Sequence, residues 1–122
     1  MNELVNVNIK NENGKLLVSS RDIAKGLEKE HKDILRKIRE VLDRNEYFIS
    51  TYTDKKGEIR PQYFMDKNSF ILLIMNYTGY NDFKRAYIRQ LNNMELEISK
   101  KRGTLYAKML RQAAYEAAQK LI

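Results

Sequence analysis

The chain has 122 residues, enough for one domain with a sizeable core, and a formal net charge of +7. It has no cysteine and a single histidine, which excludes disulfides, thiolate zinc sites and cysteine nucleophiles and leaves little for histidine-based metal or triad chemistry. No apolar run approaches a membrane span and no signal-peptide pattern opens the chain, so a cytoplasmic protein is expected. Its expected partners are negatively charged, nucleic acid first and an acidic protein surface second.

Residues 4–9 alternate, with Val5, Val7 and Ile9 on one side and Asn6 and Asn8 on the other, the pattern of a half-buried strand. Asn11-Glu12-Asn13-Gly14 supplies turn residues, and residues 15–19 return as a second strand. Residues 19–42 then read as two short helices joined by a polar turn. Ser20 is positioned to cap the first helix, with Asp22 in its positive first turn. Ile23, Ala24 and Leu27 share one face, and Glu28-Lys29-Glu30 forms the turn. From His31 onward Ile34, Leu35, Ile38, Val41 and Leu42 keep helical spacing, while Lys32, Arg36, Lys37 and Arg39 occupy the other face. A short helix, a turn and a longer helix with one buried and one basic stripe is the pattern of a helix-turn-helix.

Residues 47–53, YFISTYT, are rich in strand formers, and residues 59–65 return after Asp54-Lys55-Lys56-Gly57. Pro61 places that returning strand at an edge or delays its start. A hairpin with a basic tip directly after the second helix is where a winged helix carries its wing. Lys55, Lys56 and Arg60 there either reach phosphate or stay in water. Asp66 caps a helix over 67–77, the most hydrophobic stretch, which ends at Thr78-Gly79. Asn81 or Asp82 caps the next helix, with Phe83, Tyr87, Leu91, Met94 and Ile98 spaced by three and four. Gly103 is expected to break it, and Leu105, Tyr106, Met109, Leu110, Ala113 and Ala117 then form a wide apolar stripe. A stripe that broad predicts docking, and a homodimer is favoured because helix-turn-helix proteins commonly read two half-sites.

Charge is unevenly spread. Residues 20–44 hold eight cationic against six acidic side chains, whereas residues 84–122 hold nine against three. Within the helix pair, His31 either locks the turn by a hydrogen bond or meets a base edge or phosphate. Arg36 either reaches a guanine edge in bidentate fashion or pairs with Asp33 or Glu40 one turn away. Lys32, Lys37 and Arg39 are candidate phosphate contacts, and Arg21 joins them at the start of the first helix. Eight tyrosines do not make a strand-transfer enzyme, which needs clustered arginine and histidine. The pairs Glu30/Lys32 and Asp54/Glu58 match nuclease spacing only, and no glycine loop suits a phosphate. No catalytic residue, metal site or cofactor is expected.

The combined motifs resemble the phage regulatory protein Rha family. Its order S-R-x-[IV]-A, H-x-x-[IV]-L-R-x-I and D-x-x-G-x-x-R-P-x-Y is similar to Ser20–Ala24, to 31–38, and to Asp54, Gly57, Pro61 and Tyr63. An F-x-L-L-x-M-x-Y-T-G helix matches 70–79, and a later helix matches at Lys84, Tyr87, Ile88, Asn92, Met94 and Glu95. The resemblance covers about residues 18–98. This chain departs by an acidic residue, Glu58, within the hairpin and by a short link between Tyr80 and Lys84. Many relatives carry a further C-terminal domain where this chain has a helical tail.

The resemblance implies a phage or prophage regulator that binds double-stranded DNA in the cytoplasm of a bacterial host. The expected fold is α+β: a winged-helix-like domain over 1–80, built of a helix-turn-helix and β-hairpins, with a helical extension over 81–122. The rival reading is a protein-binding antirepressor or an inhibitor of a host defence factor, partnered by a host or phage protein rather than by DNA.

Overall fold

Two hairpins and two helix pairs alternate along the chain in the computed structural model, which describes residues 7–120. Strands β1 (Lys10–Glu12) and β2 (Lys15–Ser19) form the first hairpin. Its two-residue turn has both Asn13 (φ 54°) and Gly14 (φ 88°) left-handed, the geometry that matches strand twist and that Asn-Gly tolerates best. Part of the strand expected over 4–9 lies outside the described residues. Residues 7–9 are not in a strand, and pairing begins only at Lys10.

Helix α1 (Ser20–Gly26) follows β2 without a linker. Its cap is Ser19 rather than Ser20: the Ser19 hydroxyl accepts the Arg21 N–H at 3.1 Å. Ser20 is fully buried and is used elsewhere. The turn to α2 (His31–Val41) is closed by two backbone bonds, Lys29 N–H to Ala24 O at 2.9 Å and Glu28 N–H to Lys25 O at 3.3 Å. That is a Schellman ending, and Glu28 (φ 55°) holds the left-handed position that glycine usually takes. Gly26 is needed for another reason, since it lies against the Phe83 ring.

A 3-10 turn at Arg44–Glu46 leads into β3 (Phe48–Thr53) and β4 (Ile59–Met65). The sheet is antiparallel in the order β1-β2-β4-β3. Strand β4 is therefore interior, against the expectation from Pro61. The proline survives because β2 reaches β4 only at Phe64 and Met65, so at Pro61 the side away from β3 is open.

Helix α3 (Lys67–Ile74) is capped by Asp66, which accepts the Ser69 N–H at 3.0 Å, and stops three residues short of the expected Tyr77. Gly79 (φ 84°) and Tyr80 (φ 56°) turn the chain into α4, and the Lys84 ammonium donates to the Tyr77 carbonyl. Helix α4 (Asn81–Lys120) runs on through Gly103, where a break was expected. One interior glycine costs only about 1 kcal/mol, too little to stop a helix set among Lys, Arg, Leu and Ala.

The chain forms two compact units, one ending at Leu91 and one beginning at Asn92. In the first, the apolar faces of the helices meet the sheet: Val18, Ile23, Leu27, Ile34, Ile38, Met65, Leu73 and Leu91 are all essentially buried. Phe70, Phe83 and Tyr87 stack together, with Phe83 and Tyr87 centroids 4.7 Å apart. The Tyr87 hydroxyl accepts the Asn8 N–H at 3.1 Å, and burial raises its pKa above the usual tyrosine value. In the second unit the large apolar side chains Leu96, Leu105, Tyr106, Met109, Leu110 and Tyr115 are exposed. Among the described residues no helix is long and apolar enough to cross a membrane.

Candidate nucleic-acid interface

Helix α2 buries Ile34, Leu35 and Ile38 and leaves its basic stripe in solvent. Each expected cation there has a partner. Lys32 pairs with Glu30 at 3.2 Å, Arg36 with Asp33 at 3.2 Å and Glu40 at 4.0 Å, and Lys37 with Glu40 at 4.0 Å. The Arg36 side chain is 64% exposed, so these pairs are worth little and can be exchanged for phosphate or a base edge. Arg39 differs, because its Nη1 donates to the buried Tyr63 hydroxyl at 2.9 Å. It ties α2 to β4 as well as facing solvent.

His31 lies at the first turn of α2, and its Nε2 is 2.8 Å from the Ser20 hydroxyl. The same Ser20 Oγ accepts the Tyr63 N–H at 3.0 Å. An oxygen that takes one hydrogen from Tyr63 has its own hydrogen to give, and an unprotonated Nε2 receives it. Burial, then the charge of Arg21, lowers the His31 pKa below its usual value, consistent with a neutral ring. One buried hydroxyl thus locks α1, α2 and β4 together. This is the turn-locking role, carried by a side chain that is still partly accessible.

Tyr52 on β3 gathers the remaining candidates. The Arg21 guanidinium lies 3.8 Å above its ring centroid, and the His31 ring meets it edge-on at 5.9 Å. Tyr52 is also the register partner of Arg60 on β4. The structure therefore draws Arg21 and His31 onto one aromatic ring beside the start of α2, with Arg60 opposite it on the neighbouring strand. Tyr52 is half-buried while Ile49, Thr51 and Thr53 on the other side of its strand are exposed, because α1 and α2 supply the residues that cover its ring.

The hairpin tip is held by Asp54. Its Oδ1 accepts the Lys56 and Glu58 N–H groups, both at 2.9 Å, and its Oδ2 accepts Arg60 Nε at 3.0 Å. The backbone bond from Glu58, then the Arg60 bond, holds the Asp54 carboxyl below the usual carboxylate range. Glu58 takes the other side of Arg60 at 2.7 Å. Lys55 and Lys56 stand exposed at the tip, while Arg60 is committed to two carboxylates. Among the described residues no group of three or more acidic or histidine side chains is placed to hold a metal ion.

Comparison with known proteins adds one family and one relative. Residues 18–96 match the family model described as phage regulatory protein Rha. An uncharacterized protein of Haemophilus influenzae is 29% identical over 108 residues, a match that takes in 80% of this chain. The chain spans 62% of that relative's length. No solved structure matches the chain.

Proposed function

This chain belongs to the phage regulatory protein Rha family, and from that premise we propose that it regulates by binding double-stranded DNA. Helix α2 enters the major groove, Arg36 reads a base edge, and the β3–β4 hairpin rests on the backbone as the wing of a winged helix. The observation that carries this reading is the arrangement around Tyr52. Arg21 and His31 meet the Tyr52 ring at the start of a helix whose outward face is basic and whose ion pairs are all exposed. The apolar side of α4 beyond Asn92 pairs with a second copy. Leu105, Tyr106, Met109 and Leu110 fall on neighbouring helical rows and are each more than half exposed, and a symmetric pairing covers the patch on both copies at once.

Selection from a random duplex library, followed by titration across salt concentrations with the mass measured in the same buffer, tests the proposal. Arg36→Ala should cost about 1–3 kcal/mol on the selected site and relax base choice at one position. Lys55→Ala and Lys56→Ala should weaken all duplexes alike and lower the salt slope by about one unit per lost phosphate contact. Unchanged affinity and preference for Arg36→Ala would remove α2 from the groove. Leu110→Glu should convert a dimer mass to a monomer mass, and a wild-type monomer would refute the pairing. The pairing of Arg36 with both Asp33 and Glu40 favours a second reading, a protein-binding antirepressor. It would be indicated by one stoichiometric protein partner together with no duplex retention at low salt.

A further inference from the structure

The register of the sheet puts an unexpected set of side chains on one face. Lys10 pairs with Leu17 and Glu12 with Lys15 across β1–β2, Ser19 with Phe64 across β2–β4, and Phe48 with Phe64 across β4–β3. Partners across a ladder project to the same side, and neighbours along a strand alternate. Lys10, Lys15, Phe48 and Phe64 therefore share the face opposite to Val18, Tyr63 and Met65, which are buried. Two aromatic rings thus lie side by side on this face, with Phe48 45% exposed while Leu17 and Ser19 beside them are buried.

Each ring carries a cation. Lys15 Nζ sits 4.1 Å above the Phe48 centroid and Lys10 Nζ sits 5.1 Å above the Phe64 centroid. A groove of about 400 Å³ runs between these four side chains over Leu17, and a second of about 230 Å³ continues it past Lys10 and Phe64 towards Ser19. Two carboxylates border the surface: Glu12, paired with Lys10 at 3.4 Å, and Asp22 at the far end of the second groove. Along β3 the same row of side chains ends at Tyr52 under Arg21, about 13 Å from Phe48.

We propose that this sheet face is a second nucleic-acid site, one that stacks the unpaired bases of single-stranded DNA on Phe48 and Phe64. A base inserted over either ring displaces a lysine that already hovers at stacking height, and the displaced ammonium meets the flanking phosphate. Aromatic faces on a four-stranded sheet beside lysine or arginine are the arrangement that single strands require, because every base has a face to stack while only an unpaired one can offer it. The cations over both rings disfavour an apolar segment, and because Glu12 and Asp22 balance Lys10 and Lys15 in charge, stacking on the rings rather than net charge carries the binding. Deoxyribose is favoured over ribose because two of the three polar side chains in this row, Ser19 and Gln62, are already engaged, leaving Ser50 to meet a sugar. Ser19 Oγ donates to Gln62 Oε1, and Gln62 Nε2 donates to the Thr51 carbonyl, both at 2.9 Å.

The test is fluorescence anisotropy of labelled oligo(dT), with oligo(U) and a duplex of mixed sequence in parallel, on the full chain at low salt. Oligo(dT) should bind at least as well as oligo(U). Phe48→Leu should weaken it by about tenfold or more, the loss expected for one stacked base, while Phe48→Tyr, which keeps the ring, should bind as the wild type does. Glu12→Gln should tighten binding. Phe48→Leu should leave duplex binding unchanged, and Arg36→Ala should leave oligo(dT) binding unchanged, so this site and the α2 site fail or stand separately. No oligo(dT) binding, an unaltered affinity in a folded Phe48→Leu variant, or tighter binding of oligo(U) would each overturn the proposal.

Discussion

Gly26 is the position where one added methyl group tests the packing that aims the helix pair. A Cβ on Gly26 falls 2.2 Å from both Cδ2 and Cε2 of Phe83. Carbon atoms settle at about 3.5–4.0 Å, so the ring or α1 must withdraw by about 1.3 Å or more. Phe83 is 5% exposed and is held by Phe70 and Tyr87, with centroids at 6.0 and 4.7 Å, so it has nowhere to turn. Overpacking of this kind costs about 1–3 kcal/mol. Alanine's better helix propensity returns less than about 1 kcal/mol at the last residue of a helix. A net loss of about 1–2 kcal/mol is expected for Gly26→Ala, a drop in melting temperature of about 5–15 °C for a domain of this size. Circular dichroism melts and urea titrations measure it. Phe83→Leu in the Gly26→Ala background should recover part of the loss, so that the double variant is more stable than the two single effects predict. A Gly26→Ala protein that melts at or above the wild-type temperature would refute the argument, and with it the view that α1 is seated by its contact with Phe83.

Other variants probe the turn itself. The folded His31 pKa lies below the unfolded value of 6.5, so between the two the unfolded chain binds more protons than the folded one. Stability should fall as pH drops through 6.5 towards the folded pKa. With one histidine in the chain, His31→Gln should flatten the urea midpoint across that window; an unaltered slope would reject the Ser20–His31 lock as its source. Glu28→Gly should raise the unfolding free energy by about 0.5 kcal/mol, read as a higher urea midpoint, because glycine relieves the left-handed backbone at a small cost in unfolded-state entropy. A lowered midpoint would show that the Glu28 side chain does something its φ angle does not reveal.

The second hairpin, the Asn13-Gly14 turn and returning strand of the first, the helix pair and the buried stripe of α2 were legible in the residues because each rests on a local signal, whereas β1 lies at Lys10–Glu12, running into the stretch expected to be turn. Asn13-Gly14 takes the turn that suits it, residues 31–41 keep helical spacing, and residues 59–65 form the strand expected of them. Errors arose where a non-local partner decided. Ser20 looks like a cap in isolation, but its hydroxyl is taken by His31 and the Tyr63 N–H, and Ser19 caps instead. Pro61 argued for an edge strand, and β4 is interior with an edge only where the proline lies.

The order and kind of the elements, the basic stripe on α2 and the kinship with a phage regulatory family were contained in the sequence, since periodicity and motif spacing are properties of neighbours along the chain. Which faces stay open was decided by the tertiary structure alone. Alternation says that Phe48, Ser50 and Tyr52 share a side of their strand, but only the packed sheet shows that Ser50 and Tyr52 are half-buried while Phe48 stays exposed, and that this side is met by Lys15 and Arg21. The physical reason is that burial belongs to the partner as much as to the residue: a strand's pattern sorts its side chains into two sets, and the helices that arrive later choose which set is covered.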